Sequence, residues 1–296
     1  MPISSQPGKP MRIASLLPSA TEIIRALGLE HSLVAVSHSC NFGGKVERLP
    51  RVTRTRVPKD ASSRDIDAIV RQCLMEGASL YEIDVETLDA LRPDLIVTQG
   101  LCKVCAVGED EVGRVLPALY SQPLILSLAP TTLEGVFESV LEVGRATDST
   151  VAAQSLIASL SRRVERVRER TSGRERRPRV AFLEWTDPLI CGGHWNPELV
   201  ELAGGSDGLG RRGQPSRTVT LDELLAFQPE VLLLAACGLT AARAQEELGE
   251  LLERPGVADL PCARSGRIYE LDGVAHFSRP GPSLVDSLES LATIFD

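Results

Sequence analysis

Short apolar runs alternate with amphipathic stretches along the whole chain. The runs are too short for buried helices and are bounded by Gly, Pro or polar residues, so they predict buried β-strands. They lie at residues 12–17, 32–37, 94–99, 123–128, 179–185, 230–236 and 267–272. The stretches between them carry apolar residues at helical spacing. This alternation predicts an α/β fold with mostly parallel central sheets.

An internal repeat divides the pattern into two halves. Residues 88–102 and 221–238 share one order, which is an amphipathic helix, Pro, an acidic residue, an apolar strand and a Cys-bearing loop. The repeat predicts two similar α/β lobes. Few helix breakers interrupt the segment between them, which predicts a long connecting helix. We therefore expect an N-terminal lobe at 1–130, a long helix at 131–172 and a C-terminal lobe at 173–296, with a ligand cleft between the lobes.

Charge and the amino terminus exclude several classes of protein. The net charge of −8 and the pI near 5.2 argue against a nucleic-acid partner, because phosphates would be repelled. The first apolar run stops at Pro18, which is too early for a signal-peptide core, and no later run is long enough for membrane insertion. We expect a cytoplasmic protein, for which an ABC transporter is a partner only if an export signal precedes this start. In that compartment the seven cysteines should be free, metal-bound or redox-active.

Histidines and cysteines gather where the predicted strands end. In open α/β sheets, ligands bind beyond the carboxyl ends of the strands, so this is the edge where a site is expected. The residues that follow strands are His38, Cys40, Cys102, Cys105, Cys191, His194, Cys237 and His276. By contrast, Cys73 in an amphipathic helix and Cys262 near a turn fit simple packing.

The Cys-x-x-Cys pair Cys102 and Cys105 leaves several possibilities open. Together with Cys40 it offers three thiolates, and His38 adds an imidazole. Such a set suits tetrahedral zinc or an iron–sulfur cluster. Disulfide exchange is less favoured, because a helix starting at Gly108 or later would leave the pair in the loop before it. The alternative without any chemistry is that these cysteines only pack as small apolar side chains.

Trp185 and Trp195 are the only two tryptophans, and one loop region holds both. They predict either a flat face for a ligand or packing beneath the loop. Glu184 and Asp187 flank Trp185 and are the acids we place nearest to this face. No Gly-x-Gly-x-x-Gly follows the first predicted strand, no Gly-x-Ser-x-Gly elbow surrounds Ser19, and the chain has no Gly-Lys-Ser phosphate loop. We therefore predict a binding protein and not an enzyme.

Five stretches, in this order, resemble one known family. They are RIASLLPSATEIIRALG from residue 12, LVAVSHSCNF from residue 33, LRPDLIVTQ from residue 91, VAFLEWTDPLICGGHWNPELVELAGG from residue 180 and RIYELDGVAHFSRPGPSLVDSLE from residue 267. The family is that of the cobalamin-binding members of the substrate-binding proteins that serve metal-chelate ABC transporters. The similarity runs along most of the chain.

The resemblance implies a bilobed, helix-hinged fold that holds a cobalamin-like corrinoid or another metal chelate, with aromatic side chains against the macrocycle. Carried onto this sequence, it implies ligand contacts in the loop at 100–105 and at His38, Cys40, Phe42, Trp185, Cys191, His194, Trp195, His276 and Phe277. We expect a role in storage, delivery or sensing. The alternative is a cytoplasmic metalloprotein in which Cys40, Cys102 and Cys105, with His38, bind zinc or an iron–sulfur cluster, with or without enzymatic activity.

Overall fold

The computed structural model describes residues 10–58, 61–101, 107–236, 239 and 241–296. Backbone contacts divide the chain into two compact units. The first unit comprises Met1–Pro58, Ala68–Pro130 and Gly135–Ala158, and the second comprises Lys59–Asp67, Thr131–Glu134 and Ser159–Asp296. The segment Lys59–Asp67 belongs to the second unit, and its described part, residues 61–67, is called the strap below. The domain boundaries predicted from the sequence, at 130 and 172, stay a prediction.

Strands and helices alternate as the apolar pattern predicts. The strands are β1 (Ile13–Ser15), β2 (Leu33–Val36), β3 (Thr53–Thr55), β4 (Tyr81–Ile83), β5 (Leu95–Gln99), β6 (Leu124–Leu128), β7 (Arg179–Thr186), β8 (Leu189–Cys191), β9 (Ser206–Asp207), β10 (Arg217–Thr218), β11 (Val231–Leu234) and β12 (Ile268–Glu270).

The α-helices follow the same alternation. They are α1 (Pro18–Ala26), α2 (Ser63–Glu76), α3 (Val85–Leu91), α4 (Glu109–Val115), α5 (Leu133–Ala146), α6 (Thr150–Ser172), α7 (Asn196–Leu202), α8 (Leu221–Phe227), α9 (Ala241–Leu252), α10 (Pro261–Arg264) and α11 (Leu284–Ile294). Residues 131–172 thus hold two helices, of which α6 is the longer at 23 residues. A π-helical turn spans Gly273–Phe277.

The first unit is built on a four-stranded parallel sheet in the order β2-β1-β5-β6. Alternate residues of its strands point to opposite faces. Ile13 and Val97 pack into one apolar cluster, whereas Ala14 and Ile96 pack into another. Both faces are therefore covered, as parallel sheets require. The short β3 and β4 form a separate antiparallel pair.

The second unit has a six-stranded sheet in the order β10-β8-β7-β11-β12, with β9 paired to β7. Strands β7, β11 and β12 run parallel, and β11 is buried along its whole length. Strands β8 and β10 pair antiparallel at one edge. The sequence pattern predicts β7, β11 and β12 but not β8, β9 or β10, because β9 and β10 are two polar residues each and β8 follows β7 after only two residues.

The predicted internal repeat is present as backbone geometry. Helix α3 ends at Arg92 and helix α8 ends at Gln228, and both residues adopt the left-handed conformation, with φ of 44° and 51°. Each is followed by a proline that cannot continue the helix, and then by a fully buried strand, β5 or β11.

The repeat extends to the strand that pairs with each of these. Asp94 accepts the backbone N–H of Arg12 at 2.8 Å, and Glu230 accepts that of Arg179 at 3.1 Å. Each arginine also donates from its side-chain Nε to a backbone carbonyl at the end of α3 or α8, at 2.8 and 2.9 Å. An acidic residue and an arginine thus join a helix end to a strand start in both units.

Helix α1 begins two residues earlier than a Ser cap at Ser19 would place it. The sequence pattern Ser19…Glu22 suggests a Ser cap, but α1 begins at Pro18 with Leu17 as the capping residue, and no side chain caps it. Proline takes the first helical position because its fixed φ suits that position and its missing N–H costs nothing there. Within the described residues, no helix is long and apolar enough to cross a membrane.

Candidate functional site

The nine predicted ligand contacts divide by burial. Four side chains lie inside the cores, with exposed fractions of 0% for Cys40, 0% for Cys191, 5% for Trp195 and 3% for Phe277. These four side chains pack against neighbouring residues, and their contact with a ligand stays a prediction. The other five reach the surface, and they are His38, Phe42, Trp185, His194 and His276.

Cys40 belongs to the apolar core of the first unit. Its Sγ lies 3.2 Å from Thr21 Oγ1, and it packs with Leu17 and Val46 in one buried cluster. Cys102 and Cys105, like Cys237, fall outside the described residues. Among the residues that the structure describes, no three His, Cys, Asp or Glu side chains are grouped so that they could hold a metal ion.

Cys191 and Cys262 are also core residues. The Sγ–H of Cys191, in β8, donates to the carbonyl of Leu209 at 3.3 Å. Burial raises the pKa of both thiols, so they stay protonated and unreactive at neutral pH. Cys262 and Cys73 are buried, as the packing interpretation predicts.

In the first unit, His38 lies just beyond the end of β2 and is held by Thr53. The hydroxyl of Thr53 accepts the His38 backbone N–H at 2.9 Å and is hydrogen-bonded to Nδ1 at 2.7 Å. The ring of Tyr81 lies 5.7 Å from the imidazole. Thr53 and Tyr81 come from β3 and β4, so the short strand pair fixes this histidine. No sequence motif indicates either residue.

The chemistry of His38 follows from this setting. Burial, followed by the positive charge of Arg51, lowers the pKa of His38, so the imidazole is neutral at neutral pH. If Nδ1 donates to Thr53, that hydroxyl can give its own proton to Ser37 Oγ at 3.3 Å. Nε2 then keeps a free lone pair for a metal or a polar group.

In the second unit, Trp195 and Phe277 form a buried aromatic base. Trp195 Nε1–H donates to the carbonyl of Phe277 at 2.8 Å. The rings of Phe277 and Phe182 meet edge to face at 5.4 Å. The imidazole of His194 stacks on Trp195 at 5.6 Å with an angle of 29° between the planes. Trp195 therefore carries His194 at the surface.

The backbone fixes the position of His194. The residue adopts φ of 53°, its N–H donates to the carbonyl of Gln214 at 2.6 Å, and its own carbonyl accepts from Gly213 at 2.8 Å. Burial lowers the pKa of His194, so this imidazole is also neutral at neutral pH. Trp185, at the end of β7, is partly exposed in the same unit.

Glu184 ties together the two loops that hold His194. Its carboxylate accepts the N–H of Gly193 at 3.1 Å, Nδ2 of Asn196 at 2.8 Å and the hydroxyl of Ser216 at 2.5 Å. Burial raises the pKa of Glu184, although the three hydrogen bonds oppose that rise. The sequence places Glu184 beside the tryptophan face, but its role there is to fix the loops.

Glu184→Gln should remove one source of pH-dependent stability. Because the folded-state pKa is raised, the folded protein binds this proton more tightly than the unfolded chain. The contribution to the free energy of unfolding is therefore largest below about pH 4.5 and falls as the pH rises. Glutamine keeps the acceptor and has no such proton. Urea unfolding across pH 4 to 8 should show the wild type losing stability relative to the variant.

Two further variants check this interpretation. Glu223 has a pKa lowered by its bonds to Thr220 and then to Arg217, so Glu223→Gln should show a trend of opposite sign. Glu184→Ala leaves buried donors unpaired and should cost about 1–3 kcal/mol. Parallel pH curves for wild type and Glu184→Gln would contradict the assignment.

A groove of about 410 Å³ also lies in the second unit. Its lining residues are mostly polar or charged, and they are Cys191, Arg211, Gln214, Pro215, Arg217 and Glu223. None of the described residues that line it is aromatic, so as described it does not suit a flat macrocycle.

The chain matches known proteins along most of its length. The family model described as "Periplasmic binding protein" matches residues 13–275. The vitamin B12-binding protein of Vibrio parahaemolyticus is 22% identical over 288 residues, which cover 96% of this chain and 89% of that protein. These relatives are binding proteins, in agreement with the prediction that the chain is not an enzyme.

Solved structures show the same fold. The periplasmic vitamin B12 binding protein BtuF of Vibrio cholerae has a TM-score of 0.69 at 22% identity and covers 96% of each chain. The periplasmic heme-binding protein RhuT of Roseiflexus sp. RS-1 has a TM-score of 0.71 at 22% identity, covering 97% of this chain and 98% of that one. The predicted α/β fold of two lobes with parallel sheets is confirmed.

The prediction of a cytoplasmic protein is wrong. The matching family and the similar structures are periplasmic binding proteins, which points to export. The cysteine count misleads because the side chains of Cys40, Cys73, Cys191 and Cys262 are buried. A core thiol is shielded from oxidants, so it does not report on the redox state of a compartment.

The family model extends over more than half of the chain, and the two α/β units with their parallel sheets agree with it. The chain therefore belongs to the periplasmic binding protein family.

Proposed function

We propose that this protein binds a planar metal chelate of the corrinoid or heme class and delivers it to an ABC transporter. The observation that carries the proposal is that Trp185 and His194 are both partly exposed in the second unit. Trp195 and the Glu184 network hold His194 in place. Trp185 and His194 are partly exposed, whereas the aromatic side chains of Trp195 and Phe277 are buried.

A flat macrocycle is bound best by flat, rigid side chains. An indole ring offers a large apolar face with little conformational freedom to lose, so it contributes affinity at low entropic cost. The loop that carries His194 is fixed by backbone hydrogen bonds, in which its N–H groups donate to Gln214 and Glu184 and its carbonyl accepts from Gly213. Because this face is ordered before a ligand binds, little conformational entropy is lost on binding, and the affinity is higher.

Two neutral imidazoles add chemistry that suits a metal chelate. Burial lowers the pKa of His38 and His194, so a ring nitrogen of each carries a lone pair at neutral pH. A neutral imidazole nitrogen coordinates cobalt and iron well. His38 is the better candidate for coordination, because Thr53 fixes its other nitrogen in the way that outer partners orient metal-binding histidines.

The relatives support the class of ligand. One set is named for vitamin B12 and another for heme, and both ligands are planar macrocycles with a central metal. The family name supports work outside the cytoplasmic membrane, where a transporter would receive the chelate. Neither zinc nor an iron–sulfur cluster gains support from the described residues.

Absorption spectroscopy tests the proposal. Hydroxocobalamin and hemin are titrated separately into the purified protein, and we expect saturable, equimolar binding of one of them with shifted visible bands. If His38 coordinates the metal, the chelate bound to His38→Ala should keep the spectrum of the free chelate. The control His31→Ala, at an exposed histidine, should give the shifted spectrum of the wild-type complex. Failure of both chelates to bind would overturn the proposal, and a wild-type spectrum for the His38→Ala complex would exclude coordination by this residue.

A further inference from the structure

Trp185 is not held by its own strand alone. Its indole Nε1–H donates to the backbone carbonyl of Ser63 at 3.1 Å. Ser63 begins helix α2 and lies in the strap, which belongs to the second unit although the chain on both sides of it belongs to the first. The orientation of the indole ring therefore depends on where the strap is fixed.

A buried carboxylate fixes Ser63. Glu247, on α9, accepts the Ser63 backbone N–H at 2.8 Å through Oε1 and the Ser63 hydroxyl through Oε2. Ser63 is 2% exposed and Glu247 is 3% exposed. The negative charge also stabilises the start of α2, where the unpaired N–H groups of the helix lie. Ser63 is thus held at both its amide and its side chain.

The same carboxylate returns to the residue after the tryptophan. Thr186 Oγ1 donates to Glu247 Oε2 at 2.5 Å, which closes a ring of hydrogen bonds from Trp185 through Ser63 and Glu247 to Thr186. Beyond this ring, Arg254 donates to the Thr186 carbonyl at 2.9 Å. Ser63 and Thr186 are thus both hydrogen-bonded to Glu247 on α9.

The charge on Glu247 persists at neutral pH. Burial alone would raise its pKa, but the bonds from Ser63 and Thr186, together with the charge of Arg243, hold the pKa below its ordinary value. A buried carboxylate with this many donors is costly to remove, because each donor is then left unpaired.

We infer that Ser63 and Glu247 are positioning residues that set the plane of Trp185 before a ligand arrives. Glu247 fixes Ser63, and the Ser63 carbonyl fixes the indole. A preset ring loses less conformational entropy on binding, so this arrangement contributes to affinity without touching the ligand. The inference rests on the proposed function in that Trp185 must face the chelate.

The chain offers a matched control for a merely structural role. Glu198 is also buried, accepts the backbone N–H of Leu133 at the start of α5 at 3.0 Å and pairs with Arg212 at 2.8 Å. It has the same side chain and the same type of cap as Glu247, but it makes no bond to the strap or to Trp185. Its loss should cost stability without changing the setting of Trp185.

Fluorine NMR with 5-fluorotryptophan reads the tryptophans directly, because the chain has only two. The two resonances are assigned with Trp185→Phe and Trp195→Phe. We expect Glu247→Ala to shift and broaden the Trp185 resonance and to increase its solvent isotope shift, whereas Glu198→Ala leaves that resonance in place. Ser63→Ala, which removes one of the two bonds to Glu247, should show a smaller shift and serves if Glu247→Ala does not fold.

Chelate affinity is then measured in the same variants. Glu247→Ala should bind about three- to tenfold more weakly than wild type, as expected for the freeing of one side chain. The exposed neighbour variant Glu246→Ala should bind like wild type. An unchanged Trp185 resonance in both Glu247→Ala and Ser63→Ala, or a shifted resonance with unchanged affinity, would overturn the inference. A wild type that binds no chelate overturns the proposed function instead, and the NMR result is read without any chelate.

Discussion

Gly193→Ala is expected to destabilise the second unit by about 1–3 kcal/mol and to abolish the fixed position of His194. A Cβ at Gly193 would lie 2.2 Å from the backbone nitrogen of Ser216 and 2.7 Å from the carbonyl carbon of Pro215. Backbone atoms cannot rotate away as a side-chain end can, so the two loops must separate. The Glu184 carboxylate bonds to both loops, at Gly193 and Ser216, and would lose at least one of these partners.

Urea unfolding and chelate titration measure this effect, and Gly249→Ala is the control. Gly249 lies inside α9 with no atom within 4 Å of the added Cβ, so alanine there should stabilise the protein by about 0.5–1 kcal/mol. Equal stability of Gly193→Ala and wild type, with retained chelate binding, would show that the two loops are not rigidly joined.

Trp185→Ala should weaken chelate binding about 10- to 100-fold, which corresponds to ~1.4–2.8 kcal/mol. The loss follows from removing the flat apolar face of the indole ring. Trp185→Phe keeps a smaller flat face but loses the hydrogen bond to the Ser63 carbonyl, so its affinity for the chelate should fall between those of the wild type and Trp185→Ala.

An exposed aromatic residue elsewhere provides the control for this prediction. Tyr120 is 80% exposed in the first unit and packs near the guanidinium of Arg92. Tyr120→Ala should leave chelate affinity unchanged. If Trp185→Ala binds as tightly as Tyr120→Ala, the ligand does not lie against Trp185, and the proposed face is wrong.

The sequence predicts the parts of the fold that repeat or run long. Strand β5 and strand β11 are continuous apolar runs after a Pro and an acidic residue, and both lie where the pattern puts them. The repeat is readable because Arg92-Pro93 and Gln228-Pro229 end their helices by the same local rule. Local chemistry fixes these features, so one sequence suffices to predict them.

The site is less predictable because tertiary contacts decide which side chains are exposed. Trp195 and Trp185 are alike in sequence context, yet one is buried against Phe277 and the other reaches the surface. Cys40 follows a strand just as His38 does, but its side chain turns into the core. Neither difference follows from spacing or composition.

The supporting residues leave no sequence signal at all. Ser63 and Glu247 are separated by 184 positions, and Glu184 and Ser216 by 32. Serine and glutamate are common at helix starts and on helix surfaces, so nothing marks these as buried partners. Only the folded chain brings them together.

We expect this protein to bind a planar metal chelate with the help of Trp185. Equilibrium dialysis of hydroxocobalamin and of hemin against wild type and Trp185→Ala measures both parts of this expectation. The wild type should show saturable, equimolar binding of at least one chelate, and the variant should bind it about 10- to 100-fold more weakly. Absence of saturable binding of both chelates to the wild type, or equal affinity in the two proteins, would contradict this expectation.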